Sequence, residues 1–287
     1  MFLQIIINSL ITGSVYAAIA FGFTLIYGTM NFFNMAYGVN VLIAAYIYYV
    51  LYVLCKLPIA VSVLITCVIT ALLMILVDRV CYYRFRQRRV PGWTAVAVSM
   101  AVSTFFTAVI SIVFGSAKLT VYGKIPKSFT ILSSAHITTI QLVSLATTVF
   151  VMVAISLFLK KTKTGKKIRA ISDDKTMAQV VGIDIEKVYA AIIAAGSVLA
   201  SIAGIMSAMD SDLRPTLAAT ALLKAIVASI IGGVGNIKGA LIAAFALGFI
   251  ENISVLYIGS GWRDAIPLLL VVIALIAKPS VFGIEES

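Results

Sequence analysis

The sequence predicts an all-α polytopic transmembrane helix bundle of about eight or nine spans, on three observations. Of 287 residues, 62% are hydrophobic and only 11% are charged, against about 25% charged in a soluble domain whose surface faces water. No Asp, Glu, Lys or Arg occurs from Met1 to Cys55, a run far longer than the roughly 20 apolar residues that cross one bilayer. A single buried core cannot absorb that much apolar sequence. Positive charge gathers where apolar runs end, as it does on the cytoplasmic side of membrane proteins. Arg79, Arg84, Arg86, Arg88 and Arg89 form one cluster, and Lys160, Lys161, Lys163, Lys166, Lys167 and Arg169 form another.

Apolar segments mark candidate spans at 3–27, 39–55, 58–77, 94–115, 138–159, 188–209, 217–233, 239–258 and 264–277. Segment 217–233 is short, contains Lys224 and ends in Gly232-Gly233. A re-entrant half-helix is therefore the alternative to a full crossing, tolerated where protein or a cavity surrounds the backbone. The chain reads as one transmembrane domain, 1–287, with a cytoplasmic segment at about 160–187. The positive-inside rule places 78–92 and 160–187 in the cytoplasm, and the even number of spans between them makes the two assignments agree. Loop 116–137 is then external, despite Lys118, Lys124 and Lys127, and the N-terminus is outside. The Lys278-Pro279 tail is inside if 217–233 crosses fully.

A net charge of +11 raises nucleic acid as a partner. Charge clustered at span ends suits anionic lipid headgroups better, so lipid is expected and nucleic acid is not. Cys55, Cys67 and Cys81 lack C-x-x-C spacing and the one histidine is His136, which leaves no recognisable metal site or disulfide framework. No nucleophile elbow or His/Asp/Glu constellation appears, so the chain does not read as an enzyme. No phosphate loop is present either, since Thr164-Gly165-Lys166-Lys167 lacks the upstream glycine. The N-terminus has no basic region ahead of its apolar run and reads as a retained helix rather than a signal peptide.

Segment 160–187 is nearly thirty residues long, too long for a simple turn. Ser172 or Asp173 can cap a short helix there, with Asp173 and Asp174 at its positive end. Met177, Val180 and Val181 form one apolar face, and Gly182 is a natural stop. That face needs either a membrane surface or a cleft in a partner protein. Two other stretches put small and polar residues at membrane depth. Asn31, Asn34 and Asn40, around Tyr37 and Gly38, are costly in hydrocarbon unless they face a cavity or one another. Gly232, Gly233, Gly235 and Asn236 allow a tight turn or close helix packing. Lys224 and Glu251 are the intramembrane charges and are candidates to pair, with snorkelling of Lys224 to a headgroup as the alternative. Arg263 and Asp264 read as interfacial. These asparagines and glycines, with Tyr37, Asn236, Lys224 and Glu251, are the candidate lining of a solute pathway.

Three stretches resemble the permease subunits of high-affinity branched-chain amino acid ABC importers, of the smaller kind. Leu25-Ile26-Tyr27-Gly28 with Asn34-Met35-Ala36-Tyr37-Gly38 resembles that family's YG…NxAHG motif. Thr164-Gly165-Lys166-Lys167-Ile168-Arg169-Ala170, continuing to Ala178 and Gly182-Ile183, resembles its cytoplasmic G-[RK]-x-[IL]-R-A…A…GI segment. Lys224-Ala225 through Gly232-Gly233-Val234-Gly235-Asn236-Ile237-Lys238-Gly239-Ala240 resembles KA…GGxGSxxGAxxG. The resemblance spans nearly the whole chain in the family's order. It implies a multi-pass protein of the bacterial inner membrane that works with a second, homologous or identical, permease subunit, two ATP-binding subunits and an external substrate-binding protein. ATP and magnesium would be bound by the partners, and no cofactor by this chain. It also implies that Gly165, Arg169, Ala170, Met177, Ala178, Val180, Val181 and Gly182 belong to the region that docks on the ATPase. Tyr37 stands where the family usually has histidine. Related permeases handle urea, short amides and other amino acids, so the solute is left open between branched-chain or other amino acids and urea, short amides or another small solute. A stand-alone secondary transporter is the reading from a different class, disfavoured by the scarcity of intramembrane carboxylates for ion coupling. A structural or lipid-modifying membrane protein is disfavoured by the lack of a reactive constellation.

Overall fold

The structure, a computed structural model, describes residues 2–87, 92–121, 128–131, 135–210, 212–259 and 265–277. Arg88, Arg89, Lys124, Lys127, Arg263, Asp264 and the Lys278-Pro279 tail lie outside the described residues. Each of the apolar segments forms a helix. They are α1 (Phe2–Met30), α2 (Tyr37–Tyr49), α3 (Ile59–Val77), α5 (Gly92–Phe114), α6 (Thr139–Lys161), α9 (Ile185–Asp210), α10 (Leu217–Gly232), α11 (Ile237–Ile258) and α12 (Ala265–Ala277). A π turn, Val50–Leu54, prolongs α2. Among the described residues, seven helices are long and apolar enough to cross a membrane. At 1.5 Å per residue, α10 and α12 measure about 24 and about 20 Å, short of the roughly 30 Å hydrocarbon core.

Two connections differ from expectation. The basic segment after α3 is not a loop: the helix continues through a π turn, Asp78–Tyr82, into α4 (Tyr83–Gln87). The reason is electrostatic. Eight residues of helix bring Arg86 back to Asp78, and the guanidinium bonds both carboxylate oxygens at 2.6 and 2.7 Å. The same guanidinium reaches Glu186 at the start of α9 at 2.6 Å and stacks 5.0 Å from the Tyr189 ring. The expected external loop contains a two-stranded hairpin, β1 (Ser128–Ile131) with β2 (Ala135–Thr138), in which Phe129 pairs with Ile137. Leu119 and Leu213 exchange backbone hydrogen bonds at that same end of the bundle.

Helices α1 and α9 form the centre and are mostly buried, while α3, α5 and α6 are mostly exposed and turn Leu64, Ile112 and Phe150 outward. Lipid replaces water around such faces, so cohesion between helices comes from close packing and interhelical hydrogen bonds. Thr24 reaches Ser229 at 3.2 Å, Asn40 reaches Ser197 at 2.9 Å, and Thr70 meets Ser201 at 2.5 Å. These tie α1 to α10, α2 to α9 and α3 to α9.

The Asn-rich stretch is the break in the bundle. After α1 the chain is non-helical through 31–36, and α2 starts beside the middle of α1 and α9, where the end of the Tyr37 ring fills the notch left by Gly22 and Ile26 fills the one left by Gly196. Freed backbone groups at this depth need partners. The Met35 N–H bonds the Ser99 hydroxyl of α5 at 2.9 Å, and the Ala36 N–H bonds Asn34 Oδ1 at 3.0 Å. Between α10 and α11 the chain makes a tight elbow, with Gly233 at φ +90° and Gly235 at φ +85°. A Cβ on Gly232 or Gly239 would overlap backbone atoms of the facing helix. Overpacking such a contact costs about 1–3 kcal/mol or more. Gly239→Val is therefore expected to lower the thermal unfolding temperature of the purified protein, whereas Gly92→Ala, with open space around it, leaves it unchanged or slightly raised. Removing one partner of a buried ion pair costs about 3–5 kcal/mol. Arg86→Met should destabilise the protein accordingly, and adding Asp78→Asn should restore part of the loss in the same unfolding assay.

Candidate functional site

Two ends of the bundle carry distinct chemistry. At the basic end, segment 160–187 folds as two helices, α7 (Lys163–Asp173) and α8 (Lys175–Val180). The caps differ from those the sequence suggested. Thr162 caps α7 through Gly165 N–H at 3.0 Å. Asp174 caps α8, accepting from Thr176 and Met177 at 2.8 and 3.0 Å. Ser172 is occupied elsewhere, donating to the Gly28 carbonyl of α1 at 2.5 Å. Asp173 is the last residue of α7. Helix ends leave carbonyls without intrahelical partners, and α7 supplies two: Ser172 at the end of α1, and Arg169, whose Nη1 bonds the Leu159 carbonyl of α6 at 2.7 Å. A Cβ on Gly165 would collide with that same carbonyl. Ile168 and Ile171 are buried beneath, with Ala170 half-buried beside them.

Helix α8 ends as expected at Gly182, with φ +82°. Its N–H bonds Gln179 O at 2.9 Å and the Ile183 N–H bonds Ala178 O at 3.0 Å, the paired geometry of a Schellman stop. Ala178 faces inward at 4% exposure, while Met177, Val180 and Val181 stand 63%, 77% and 78% exposed. Lys175 lies 5.5 Å from the centre of the Tyr189 ring that also receives Arg86. At this end Asn31, with φ +54°, lines a cavity of about 600 Å³ together with Arg86, Lys175 and Tyr189.

Asn34, Tyr37 and Asn40 are brought together with Asp78, Tyr82 and Ser197 around a space of about 20 Å³, enough for about one water. Tyr82 donates to Asn34 Oδ1 at 3.3 Å, and the Tyr37 hydroxyl reaches the Gly196 carbonyl at 3.4 Å. Gly38 lies against α10, where a Cβ would overlap the Ala218 carbonyl. Gly232, Gly233 and Gly235 shape the elbow, and Asn236 caps α11 through Gly239 N–H at 3.2 Å. Gly235 packs beside Gly28, so the glycine turn and the end of α1 meet at the basic end.

Lys224 and Glu251 stand apart from these groups, toward the other end. Glu251 of α11 is fully buried. Its Oε1 accepts from the Tyr16 hydroxyl at 2.9 Å and lies 3.5 Å from Lys224 Nζ. Lys224 also donates to the Tyr16 oxygen and sits 4.2 Å from that ring's centre. Lys224 and Tyr16 line a cavity of about 380 Å³, along with Asp210, Asp212, Arg214, Gln141 and several hydroxyls. Sequence reasoning missed Tyr16, which looks like one more aromatic in an apolar run. It also missed Asp78, whose signal was a lone acid at a span end next to arginines.

Comparison with known proteins agrees with the motifs. The profile of the family described as branched-chain amino acid transport system / permease component matches residues 5–275. The high-affinity branched-chain amino acid transport system permease protein LivH of Salmonella typhimurium is 28% identical, over 97% of this chain and 94% of its own. Permease protein BraD of Pseudomonas aeruginosa is 25% identical over the same shares, 97% and 94%. Among solved structures, PsaBC from Streptococcus pneumoniae in complex with Fab has a TM-score of 0.52 at 13% identity, covering 93% of this chain and 90% of that one, a likeness of fold. The chain is a multi-pass inner-membrane permease and belongs to the family of branched-chain amino acid transport system permease components.

Proposed function

We propose that this chain is one permease subunit of an ABC importer that moves a branched-chain or other amino acid into the cell. It forms a single domain over 1–287 and pairs with a second permease subunit. Two ATP-binding subunits dock at the basic end, and an external binding protein delivers solute to the opposite end. ATP and magnesium belong to the ATPase partners. The observation that carries the reading is the apolar face of Met177 and Val180, on a helix of six residues, and of Val181 at its end, all three exposed. A helix this short is not stable by itself; Asp174 and Gly182 hold it in shape and present the face outward. Relatives named as branched-chain amino acid permeases over nearly the whole chain support the solute class.

In this reading α8 is the part of the permease that the ATPase pushes and pulls. Ser172 connects the adjoining α7 to α1, Arg169 connects it to α6, and Lys175 rests on Tyr189 of α9. Displacement of α8 therefore reaches three spans directly. A charge placed on its apolar face must be desolvated on docking, at a cost of several kcal/mol if left unpaired. Val181→Asp is expected to release the ATPase or abolish solute-stimulated ATP hydrolysis in liposomes, while Lys163→Ala at the rim changes little. Retention of both properties by Val181→Asp would sink the docking assignment. Sidedness has its own check. With Cys55, Cys67 and Cys81 replaced, a cysteine at Lys163 should react with an impermeant label only from the cytoplasm, and one at Lys118 only from outside. The reverse pattern would invert the topology.

A further inference from the structure

We infer that the cavity of about 380 Å³ at the end opposite the basic clusters is a recognition site for the head of an α-amino acid, with Lys224 receiving the carboxylate and Asp210 the ammonium group. This rests on the importer reading and deepens it, by locating discrimination in the permease itself as well as in a binding protein. The volume falls at the lower end of the roughly 300–1,000 Å³ typical of small-ligand pockets. Its lining carries both signs of charge, the cations Arg214 and Lys224 and the anions Asp210 and Asp212. A zwitterion is neutral overall but must shed water from two charged ends, and a pocket of one sign leaves one of them uncompensated. Urea or an uncharged amide would need neither partner.

The individual contacts assign the ends. Asp212 is already engaged with Lys118 at 3.6 Å. Asp210 is exposed, with Gln141 Nε2 3.5 Å away as a weak neighbour, which makes it the carboxylate available to an ammonium group. Lys224 lies on the second turn of α10, roughly 10 Å along the helix from Leu217, so it sits deeper than Arg214. Glu251 lies behind it and is not part of the lining. At 3.5 Å the Lys224–Glu251 pair is longer than the 2.7–2.9 Å of a tight charge-assisted bond. Glu251 also accepts from the Tyr16 hydroxyl, so an arriving carboxylate can share the Lys224 ammonium without stripping Glu251 of its partners. A transport site has to bind well enough to admit the solute and loosely enough to release it. Ile11, Val15 and Met206 supply an apolar wall for the side chain.

The test uses the assembled transporter in nanodiscs without binding protein, screening the common α-amino acids at millimolar concentration by ligand-induced shifts in thermal unfolding. For leucine the comparison compounds are 3-methylbutylamine, which lacks the carboxylate, and 4-methylpentanoate, which lacks the ammonium group; any other best binder is tested against its corresponding amine and acid. The amino acid should stabilise the complex and both analogues should fail. Lys224→Met and Asp210→Asn should each weaken binding at least tenfold, with Thr104→Ala, outside the cavity, unchanged. Asp210 is at the exposed rim, so its variant folds even if Lys224→Met does not. Equal binding of the analogues, undiminished binding by Asp210→Asn, or no shift with any amino acid would overturn the site. ATP-driven uptake with the binding protein is measured in parallel. Uptake by a wild type that fails the binding assay removes the site alone, whereas absence of ATP-driven uptake removes the importer reading.

Discussion

A backbone group at membrane depth in this bundle needs a partner within the protein, and that constraint decides much of the architecture. Where the backbone is helical the requirement is met within each span. At 31–36 it is not, and the chain stays at that depth because Ser99 and Asn34 take over the freed amides. The same rule operates at helix ends. The last carbonyls of α1 and α6 have no partner in their own helices, and Ser172 and Arg169 of α7 provide one. Segment 160–187 is thus fastened to the bundle largely through the polar remainders of other helices. It also buries Ile168 and Ile171.

Two ionic groups, each built on a buried carboxylate, Asp78 or Glu251, divide the molecule by height. Near the basic end, Asp78, Arg86 and Glu186 join the extension of α3 to the foot of α9. Toward the other end, Tyr16, Lys224 and Glu251 join α1, α10 and α11. Ion pairs of this kind add little stability over apolar packing of the same volume, because desolvation offsets the attraction. Their effect is on register. With apolar helices in apolar solvent, sliding by one turn costs little unless a polar partner is lost, and each group penalises such a slip. The glycine contacts at the elbow act in the same direction by allowing one close approach between α10 and α11.

Much of the fold was legible because its signals are local. Apolar length gave the helices, and Gly182 gave the end of α8. Lys224 and Glu251 could be suspected as partners since so few charges occur at membrane depth. What escaped was set by contacts between residues far apart in sequence. The asparagines at 31, 34 and 40 were visible as costly, but Asn34 and Asn40 spend their polarity on backbone, on Tyr82 and on Ser197 rather than around a wide passage. Ser172 looked like a cap because the sequence cannot show that Gly28, 144 residues away, claims its hydroxyl. Asp174, one residue past a helix the periodicity did not reveal, became the cap instead. The arginine cluster after α3 read as a loop because arginines at a span end usually mark one; the acid that turns them helical is Asp78, eight positions before Arg86.

The exposed face of α8 could be covered by lipid or by protein, and the proposed docking on an ATPase rests on how its surroundings differ from those of a membrane-surface helix. A helix resting on a bilayer works by burying a long apolar stripe while its basic residues reach headgroups. Here the apolar face is confined to Met177 and Val180 on a six-residue helix and Val181 just after it, too little to hold a segment on a membrane. The basic residues of the region sit mainly on the neighbouring α7, whose own apolar side, Ile168 and Ile171, is already buried against the bundle. Val180 and Val181 are more than three-quarters exposed, while the inward Ala178 keeps α8 close to its supports. A small, rigidly capped apolar knob with a basic rim suits a fitted cleft. Because α8 is braced by α7 and by Lys175 on Tyr189, a partner holding that knob would move the spans with it.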